Sequence, residues 1–357
     1  GIKMCKTEFG IDTFSYYYKL TSKQKAEIIG HLKAKEGFRT EISNYEEDTY
    51  AYSSDYFKDD GIRIWIQSIK GSPWGLLIVV HPLLVLGDSD RSTLYRPQKK
   101  AEYKRIIKQV DKLLKPIGVP CSADKMKFYR IDVTINLIFK VEALVNEYLR
   151  ILKRSCLLPH YQLDWFRKEE HKAKDCKAAN KHSFKQYCKS AAFFSYDKTA
   201  QLEMIGAFPA SLIGKRVLRL EAQLRRKGMK KWVGKDIMEE NNWGILKQLE
   251  KKSNKIIRWY IDRLQIADTN YVRYQDAVDA VNAMKGEKMK KRMLYLLRKT
   301  SDSETLTAAL EKLRKKYGLS RNQCRNVLKK FKKLGISPIT LTNSSKYDSL
   351  PPIDSLI

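Results

Sequence analysis

Three short stretches of the chain carry groups that could act together on a phosphate ester. Residues 190–198 read SAAFFSYDK and set Tyr196 among apolar residues, followed by an acid and by Lys198. The other two stretches each set one carboxylate, Asp132 or Glu221, inside an apolar run. A hydroxyl nucleophile, a cation and two carboxylates are what metal-assisted attack on a phosphate requires. We therefore expect the three stretches to be neighbouring strands of one sheet.

The two carboxylates favour a site for a hard divalent ion. A carboxylate buried in a strand is costly unless a cation or several donors satisfy it. Asp132 and Glu221 on strands of one sheet would suit Mg²⁺ or Mn²⁺, which prefer oxygen ligands. The alternative is that Asp132 only forms an ion pair with Arg130 or Arg219 on an exposed face.

Tyr196 is a candidate nucleophile because of its neighbours. A phenol with a pKa near 10 reacts poorly at neutral pH unless a cation stabilises the developing phenolate. Lys198 lies two residues further on, which would place it on the same strand face, about 7 Å away. The alternative is that Tyr196 packs in the core, as most strand tyrosines do.

Two further groups of residues could bind metal. His81 lies at the end of an apolar strand pattern and is a candidate third ligand of the same ion. A second group contains cysteines and histidines in a basic segment, where surface thiols and imidazoles are the favoured interpretation and a zinc site the alternative. Its members are Cys156, His160, His171, Cys176, His182 and Cys188.

The charge of the chain predicts a polyanionic partner. Its 357 residues include 70 Lys and Arg against 40 Asp and Glu, a formal net charge of +30 spread along most of the length. Nucleic acid is the first candidate and an anionic membrane surface the second. The longest apolar run, residues 75–87, is too short to span a bilayer. Six scattered cysteines favour reduced thiols and a cytoplasmic location.

Periodicity predicts an α+β domain followed by a helical region. Strand patterns, together with helices expected at 23–35, 98–114 and 140–153, suit a central antiparallel sheet with flanking helices over residues 1–230, and the helix at 98–114 has a period close to 3.6. Residues 231–341 read as basic helices, and residues 342–357 as a disordered tail. The strands are expected at 11–20, 50–56, 61–70, 74–80, 127–139, 193–202 and 215–225, and the longest early helix at 98–114.

The last expected helix has a basic stripe. Ser320 is a suitable N-cap, and Arg321, Arg325 and Lys329 follow at intervals of four residues, which places them on one helix face. Such a stripe suits a DNA backbone or groove, and the preceding helix would make a helix-turn-helix-like pair with it. The alternative is a basic face that only contacts solvent.

Taken together, the chain resembles the rolling-circle replication initiators of filamentous phages and plasmids. The resemblance is to the gene II protein type and to the plasmid Rep/relaxase family that lacks a two-histidine motif. It rests on the order and spacing of short motifs over residues 10–337, weaker signals being the runs 74–86 and 320–337. The motifs are Arg130-Ile131-Asp132-Val133, Tyr196-Asp197-Lys198 and Arg219-Leu220-Glu221.

The resemblance implies roles for individual residues. Tyr196 would be the DNA-cleaving nucleophile, with Asp132 and Glu221 holding the metal ion. Plasmid relatives often have a second acid where this chain has Asn136, whose amide oxygen can also bind a metal. Tyr187, nine residues before Tyr196, is a possible second nucleophile.

The resulting hypothesis is a site-specific DNA nicking and joining enzyme that starts rolling-circle replication of a phage or plasmid in a bacterial cell. Arg130 and Arg219, together with the C-terminal stripe, are expected to contact origin duplex, hairpin or single strand. A host helicase and polymerase are partners implied by the resemblance. The alternatives are a conjugative relaxase with the same chemistry and a non-catalytic DNA- or RNA-binding protein.

Overall fold

The computed structural model describes residues 5–43, 49–69, 72–163, 183–266, 268–302 and 305–357. Within these ranges the chain combines one large antiparallel sheet with many helices. The α+β class and the antiparallel central sheet predicted from the sequence are thereby confirmed.

Ten strands of the described residues form the large sheet. They are β1 (Lys6–Lys19), β2 (Phe38–Ser43), β3 (Thr49–Ser54), β4 (Ile62–Ile69), β5 (Gly75–Val80), β6 (Lys127–Phe139), β7 (Gln162–Leu163), β8 (Ser183–Tyr187), β9 (Ala191–Asp197) and β10 (Arg216–Arg225). Hydrogen bonding orders them β2-β3-β4-β5-β1-β6-β10-β9-β8-β7. The long strands β1 and β6 therefore lie at the centre of the sheet.

Strand β6 shows that the centre of the sheet has two chemically different faces. Val133 and Ile135 lie on one face, within the apolar core. Asp132, Thr134 and Asn136 alternate with them on the other face and are equally buried. Polar groups buried in this way need cations and hydrogen-bond donors around them. We call the face of Asp132 and Asn136 the polar face.

Thirteen α-helices occur in the described residues, and none of them is long and apolar enough to cross a bilayer. They are α1 (Ser22–Lys33), α2 (Pro82–Val85), α3 (Lys100–Leu114), α4 (Glu142–Lys153), α5 (Lys198–Met204), α6 (Arg226–Val233), α7 (Lys235–Glu240), α8 (Asn242–Lys251), α9 (Ser253–Arg263), α10 (Tyr274–Asn282), α11 (Glu287–Asp302), α12 (Leu306–Tyr317) and α13 (Arg321–Lys333).

Helices cover the apolar face of the sheet. The Tyr103 hydroxyl of α3 shares a hydrogen bond of 3.0 Å with Tyr16 of β1. The Tyr260 ring of α9 stacks on Phe193 of β9 with centroids 5.0 Å apart. Helices α8 and α9 thus complete the core of the sheet although they follow residue 230, where the sequence suggests that a separate helical region begins.

Strand β9 ends earlier than the predicted strand 193–202. The Asp197 carboxylate accepts a hydrogen bond of 2.9 Å from the main-chain N–H of Ala200, which caps α5. Lys198 is therefore the first residue of a helix. The sequence predicts that Lys198 continues the strand face of Tyr196, and that prediction is wrong.

Residues 342–357 are packed against the rest of the fold, so the prediction of a disordered tail is wrong. A short strand β12 (Ser349–Leu350) pairs with β11 (Tyr271–Val272). Ile353 is fully buried. These contacts fix a segment whose serines and prolines alone suggest disorder.

The tail leads to a stability prediction. Ile353→Ala removes a fully buried side chain, so we expect it to lower the free energy of unfolding in urea by about 2–5 kcal/mol. Ser349→Ala, at an exposed position of β12, is the control and should change it by less than about 0.5 kcal/mol. Equal stabilities of the two variants would contradict the packing of the tail.

Candidate active site on the polar face of the sheet

The stretches that contain Asp132, Glu221 and Tyr196 are neighbouring strands, in the order β6-β10-β9. Arg219 lies opposite Asn136 of β6 on one side and opposite Tyr196 of β9 on the other. Glu221 is two residues further along β10 and hence on the same face. The register therefore places the side chains of Tyr196 and Glu221 on the polar face, which also carries Asp132.

Arg219 is the centre of this face and is fully buried. Its Nη1 donates to Asp12 Oδ1 at 2.6 Å, its Nε to Asn136 Oδ1 at 2.8 Å and its Nη2 to the Ser92 carbonyl at 2.7 Å. Burial alone would raise the pKa of Asp12, but Arg219 and then Lys198 hold that pKa below its usual range. Asp12 and Arg219 are therefore a charged pair.

Tyr196 and Glu221 are in direct contact. The Tyr196 hydroxyl donates to Glu221 Oε2 at 3.2 Å, and Gln223 Nε2 donates to Glu221 Oε1 at 2.8 Å. Burial, followed by the charges of Asp132 and Asp12, raises the pKa of Glu221 to about 7. Burial and Glu221 together raise the pKa of Tyr196 well above its usual range. At neutral pH the phenol keeps its proton and Glu221 is poised to accept one.

Asp132 carries an ion pair. Arg130 Nε lies 2.9 Å from Asp132 Oδ1, Arg130 Nη2 donates to Oδ2 at 3.0 Å, and the Thr13 hydroxyl donates to Oδ2 as well. Burial nevertheless keeps the pKa of Asp132 above its usual range. The alternative reading of Asp132 as an ion-pair partner is thus realised with Arg130, but on a buried face and not on an exposed one.

Lys198 connects this cluster to a cavity of about 290 Å³. Its Nζ lies 5.8 Å from the centroid of the Tyr196 ring and donates to Gln201 Oε1 at 2.9 Å. Burial and the nearby Arg219 lower the pKa of Lys198 to about 8, so the ammonium form still dominates at neutral pH. The side chains of Tyr196 and Lys198 are therefore close together, as the sequence predicts, even though Lys198 lies in a helix.

His81 also lines this cavity, together with Asp12 and Lys198. Burial lowers the pKa of His81 to about 4, so the imidazole is neutral. The Asn136 oxygen accepts from Arg219, and its amide nitrogen donates to the Ser92 carbonyl at 2.9 Å. Contrary to the prediction of a metal ligand, the Asn136 side chain is used to hold Arg219.

The carboxylates could share a divalent ion with a phosphate. Burial, and after it the charge of Asp132, raises the pKa of Glu221, and a divalent cation would offset the negative charge of both carboxylates. Among the described residues no three His, Cys, Asp or Glu side chains form a group that could hold a metal ion. Mg²⁺ commonly uses one or two carboxylates with water and substrate phosphate. The donors fit that arrangement and not an ion held by protein alone.

The other predicted residues lie in different parts of the structure. Tyr187, on β8, is 39% exposed, and its hydroxyl donates to Gln162 Oε1 at 3.3 Å. Arg219 is buried, so the prediction that it contacts DNA directly is wrong, whereas the Arg130 side chain remains 32% exposed. The basic stripe of α13 is exposed, and Ser320 caps this helix as predicted; the stripe consists of Arg321, Arg325 and Lys329.

The candidate zinc segment is described only in part. Cys156 is buried, which raises the pKa of its thiol to about 11, and His160 and Cys188 line a basic cavity. His171, Cys176 and His182 lie outside the described residues. A zinc site here stays a hypothesis.

Sequence reasoning missed Asp12, Thr13 and Ser92. Asp12 lies in the β-bulge of β1 between Ile11 and Phe14, inside an apolar and aromatic run of the kind that singles out Asp132. The same rule would have found it. The role of Ser92 could not be found, because it is the main-chain carbonyl that accepts from Arg219.

Comparison with models of protein families found no match, and a search of curated proteins found none either. The resemblance to rolling-circle initiators therefore stays a prediction, supported by the motifs and their positions on the sheet.

Arg219 leads to a prediction about stability. Arg219→Met leaves Asp12, whose side chain is only 14% exposed, without its cation, so we expect a loss of about 3–5 kcal/mol in the free energy of unfolding. The control is Arg216→Met on the same strand, whose partners Glu142 and Glu203 are at the surface; it should cost less than about 1 kcal/mol. Chemical denaturation of both variants measures the difference. Similar losses would contradict the central position of Arg219.

Proposed function

We propose that the protein is a site-specific DNA nicking and joining enzyme that forms a covalent tyrosine–DNA intermediate. The observation that carries this proposal is the contact of the Tyr196 hydroxyl with Glu221, 3.2 Å away, beside the buried cation Arg219. Attack on a phosphate would use a nucleophile, a proton acceptor and a fixed positive charge, and these three groups could take those roles on one sheet face.

In the proposed reaction the Tyr196 oxygen attacks the scissile phosphorus. A bond forms between this oxygen and phosphorus, and the bond from phosphorus to the 3′-oxygen breaks. The phenol proton passes to Glu221, and the released 3′-oxygen takes up a proton from solvent and becomes a 3′-hydroxyl. The product is a 5′-phosphotyrosine, and attack by a 3′-hydroxyl reverses the step and reseals the strand.

The cations around Tyr196 support this chemistry. Although burial and Glu221 raise the pKa of Tyr196, the charge of Arg219 opposes them and so favours the developing phenolate. Lys198, which lines the neighbouring cavity, can pair with a phosphate oxygen. Asp12 and Asn136 hold Arg219 in position.

Mg²⁺ or Mn²⁺ is the proposed cofactor, with Asp132 and Oε1 of Glu221 as its protein ligands, while Oε2 of Glu221 stays beside the Tyr196 hydroxyl. Such an ion would polarise the scissile phosphate. Binding requires that Arg130 release Asp132, with which it pairs across 2.9 Å. Arg130, at the edge of the polar face, would then be free to contact DNA.

Initiation of rolling-circle replication is the biological role we propose. It is supported by the order of the three motifs along the chain and by the exposed basic stripe of α13, which suits an origin duplex or hairpin. A host helicase and polymerase would follow at the 3′-hydroxyl. Conjugative transfer would use the same chemistry at a different DNA site.

The burial of Tyr196 favours one alternative, a nucleic-acid-binding protein without catalysis. Only 6% of the Tyr196 surface is exposed, and its raised pKa disfavours the phenolate. For catalysis, a DNA strand must therefore reach the hydroxyl from the polar face.

A search for the covalent intermediate distinguishes the nicking enzyme from the non-catalytic binding protein. Wild-type protein is incubated with Mn²⁺ and 3′-labelled single strands of random sequence, and the products are run on a denaturing gel. We expect a labelled protein band that is lost in Tyr196→Phe, which lacks the attacking oxygen, and kept in Tyr187→Phe. An adduct that persists in Tyr196→Phe would contradict Tyr196 as nucleophile. The absence of any wild-type adduct would favour the binding protein.

A further inference from the structure

A second, larger cavity of about 750 Å³ lies where β6 begins and β10 ends. It also borders the turn between β8 and β9 and the first turn of α6. None of the candidate catalytic residues lines it. The lining residues are Tyr17, Lys127, Phe128, Tyr129, His160, Cys188, Lys189, Ser190, Arg225, Arg226 and Lys227.

The charge of this cavity is of one sign. Five of its lining residues are Lys or Arg, and these described residues include no Asp or Glu. Arg226 and Lys227 are exposed and lie in the first turn of α6, where the helix dipole favours acids and not cations. The helix has no acidic residue in that turn. The helix dipole therefore does not stabilise these cations, and an external anion would do so.

Aromatic rings line the same cavity. The rings of Tyr17 and Tyr129 have centroids 6.4 Å apart and are tilted by 32°. The Arg225 guanidinium lies 5.8 Å from the Tyr129 ring, and its Nη1 donates to the Lys189 carbonyl at 3.3 Å. Planar groups of this kind stack on unpaired bases, while the surrounding cations pair with phosphates.

The combination of cations, rings and concave shape discriminates between polyanions. Bases in a duplex are stacked on one another and cannot stack on Tyr129, and a membrane surface does not enter a cavity. The volume falls in the range of pockets that take small molecules, which suits part of a single strand. An acidic peptide would use the cations but leave the rings without a specific partner.

The cavity is aligned with the candidate active site. Arg225 lies four residues beyond Glu221 on β10 and therefore on the same sheet face, about 13 Å away by the rise of a strand. Arg225 pairs with Arg130 across the ladder, so Arg130 lies between the cavity and Asp132. A nucleic-acid strand held in the cavity can extend along β10 towards Tyr196.

We propose that this cavity is a binding site for single-stranded nucleic acid, in which an unpaired base stacks on Tyr129 while Arg226 and Lys227 bind the adjoining phosphates. The inference rests on the proposed function in expecting DNA as the natural ligand, and it deepens that function by assigning a single strand as the substrate at this end of the polar face.

The test is fluorescence anisotropy with a labelled twelve-nucleotide oligothymidylate, in EDTA so that no cleavage occurs. The double variant Arg226→Gln/Lys227→Gln should weaken binding at least tenfold. It should also reduce the slope of log K against log salt by about 1.4, that is about 0.7 for each lost contact. Tyr129→Leu should weaken binding about tenfold through lost stacking and leave the salt slope unchanged.

The matched control removes the same charge elsewhere. Lys104 and Lys112 are exposed on α3, which covers the apolar face of the sheet. Lys104→Gln/Lys112→Gln should bind within twofold of wild type. Lys189→Gln, at another exposed position of the cavity, should reproduce part of the loss. Circular dichroism checks that every variant is folded.

Three results would overturn the proposal. They are unchanged binding by Arg226→Gln/Lys227→Gln, an equal loss in the α3 control, and competition by an unlabelled duplex as strong as that by a single strand. Single-strand binding by a wild-type protein that forms no covalent adduct would refute only the nicking reaction. Adduct formation together with unchanged binding by the cavity variants would refute only this site.

Discussion

The burial of one guanidinium organises the functional face of this protein. Arg219 is fully buried on β10, next to the central strand β6 of the sheet that the described residues form, and is held by a carboxylate, an amide oxygen and a main-chain carbonyl. Taking such a charge out of water costs several kcal/mol unless its partners are well placed. Asp12, Asn136 and Ser92 are those partners. The positions of β1, β6 and the segment before α3 are therefore tied to one side chain of β10.

The charges around Arg219 form a compensated set. The set contains three carboxylates and three cations, which are Asp12, Asp132, Glu221, Arg219, Arg130 and Lys198. Because burial and the neighbouring carboxylates raise the pKa of Glu221 to about 7, Glu221 can take up a phenol proton without leaving a large uncompensated charge on this face. The hydrogen bond from the Tyr196 hydroxyl satisfies this buried carboxylate and stabilises the fold, and it also places the phenol beside a proton acceptor.

The sequence predicts much of this arrangement because the sheet alternates. A carboxylate between apolar neighbours, as at Asp132 and Glu221, identifies a buried polar strand face, and the structure places both strands side by side. The start of α5 at Lys198 could not be predicted from periodicity, because it depends on the Asp197 cap. The partners of Arg219 are distant in sequence, so its burial could not be inferred from its basic character. The packing of residues 342–357 likewise depends on one short strand pair and the buried Ile353.

The identity of the residue that carries DNA tests the account most directly. Trypsin cleaves after Lys185, Lys189 and Lys198, so Tyr187 and Tyr196 fall in different peptides, residues 186–189 and 190–198. Tandem mass spectrometry of a nuclease-trimmed adduct should find the nucleotide mass on residues 190–198, at Tyr196. A nucleotide on residues 186–189, or on a peptide that contains neither tyrosine, would contradict the central claim that the polar face around Arg219 is the site of DNA cleavage.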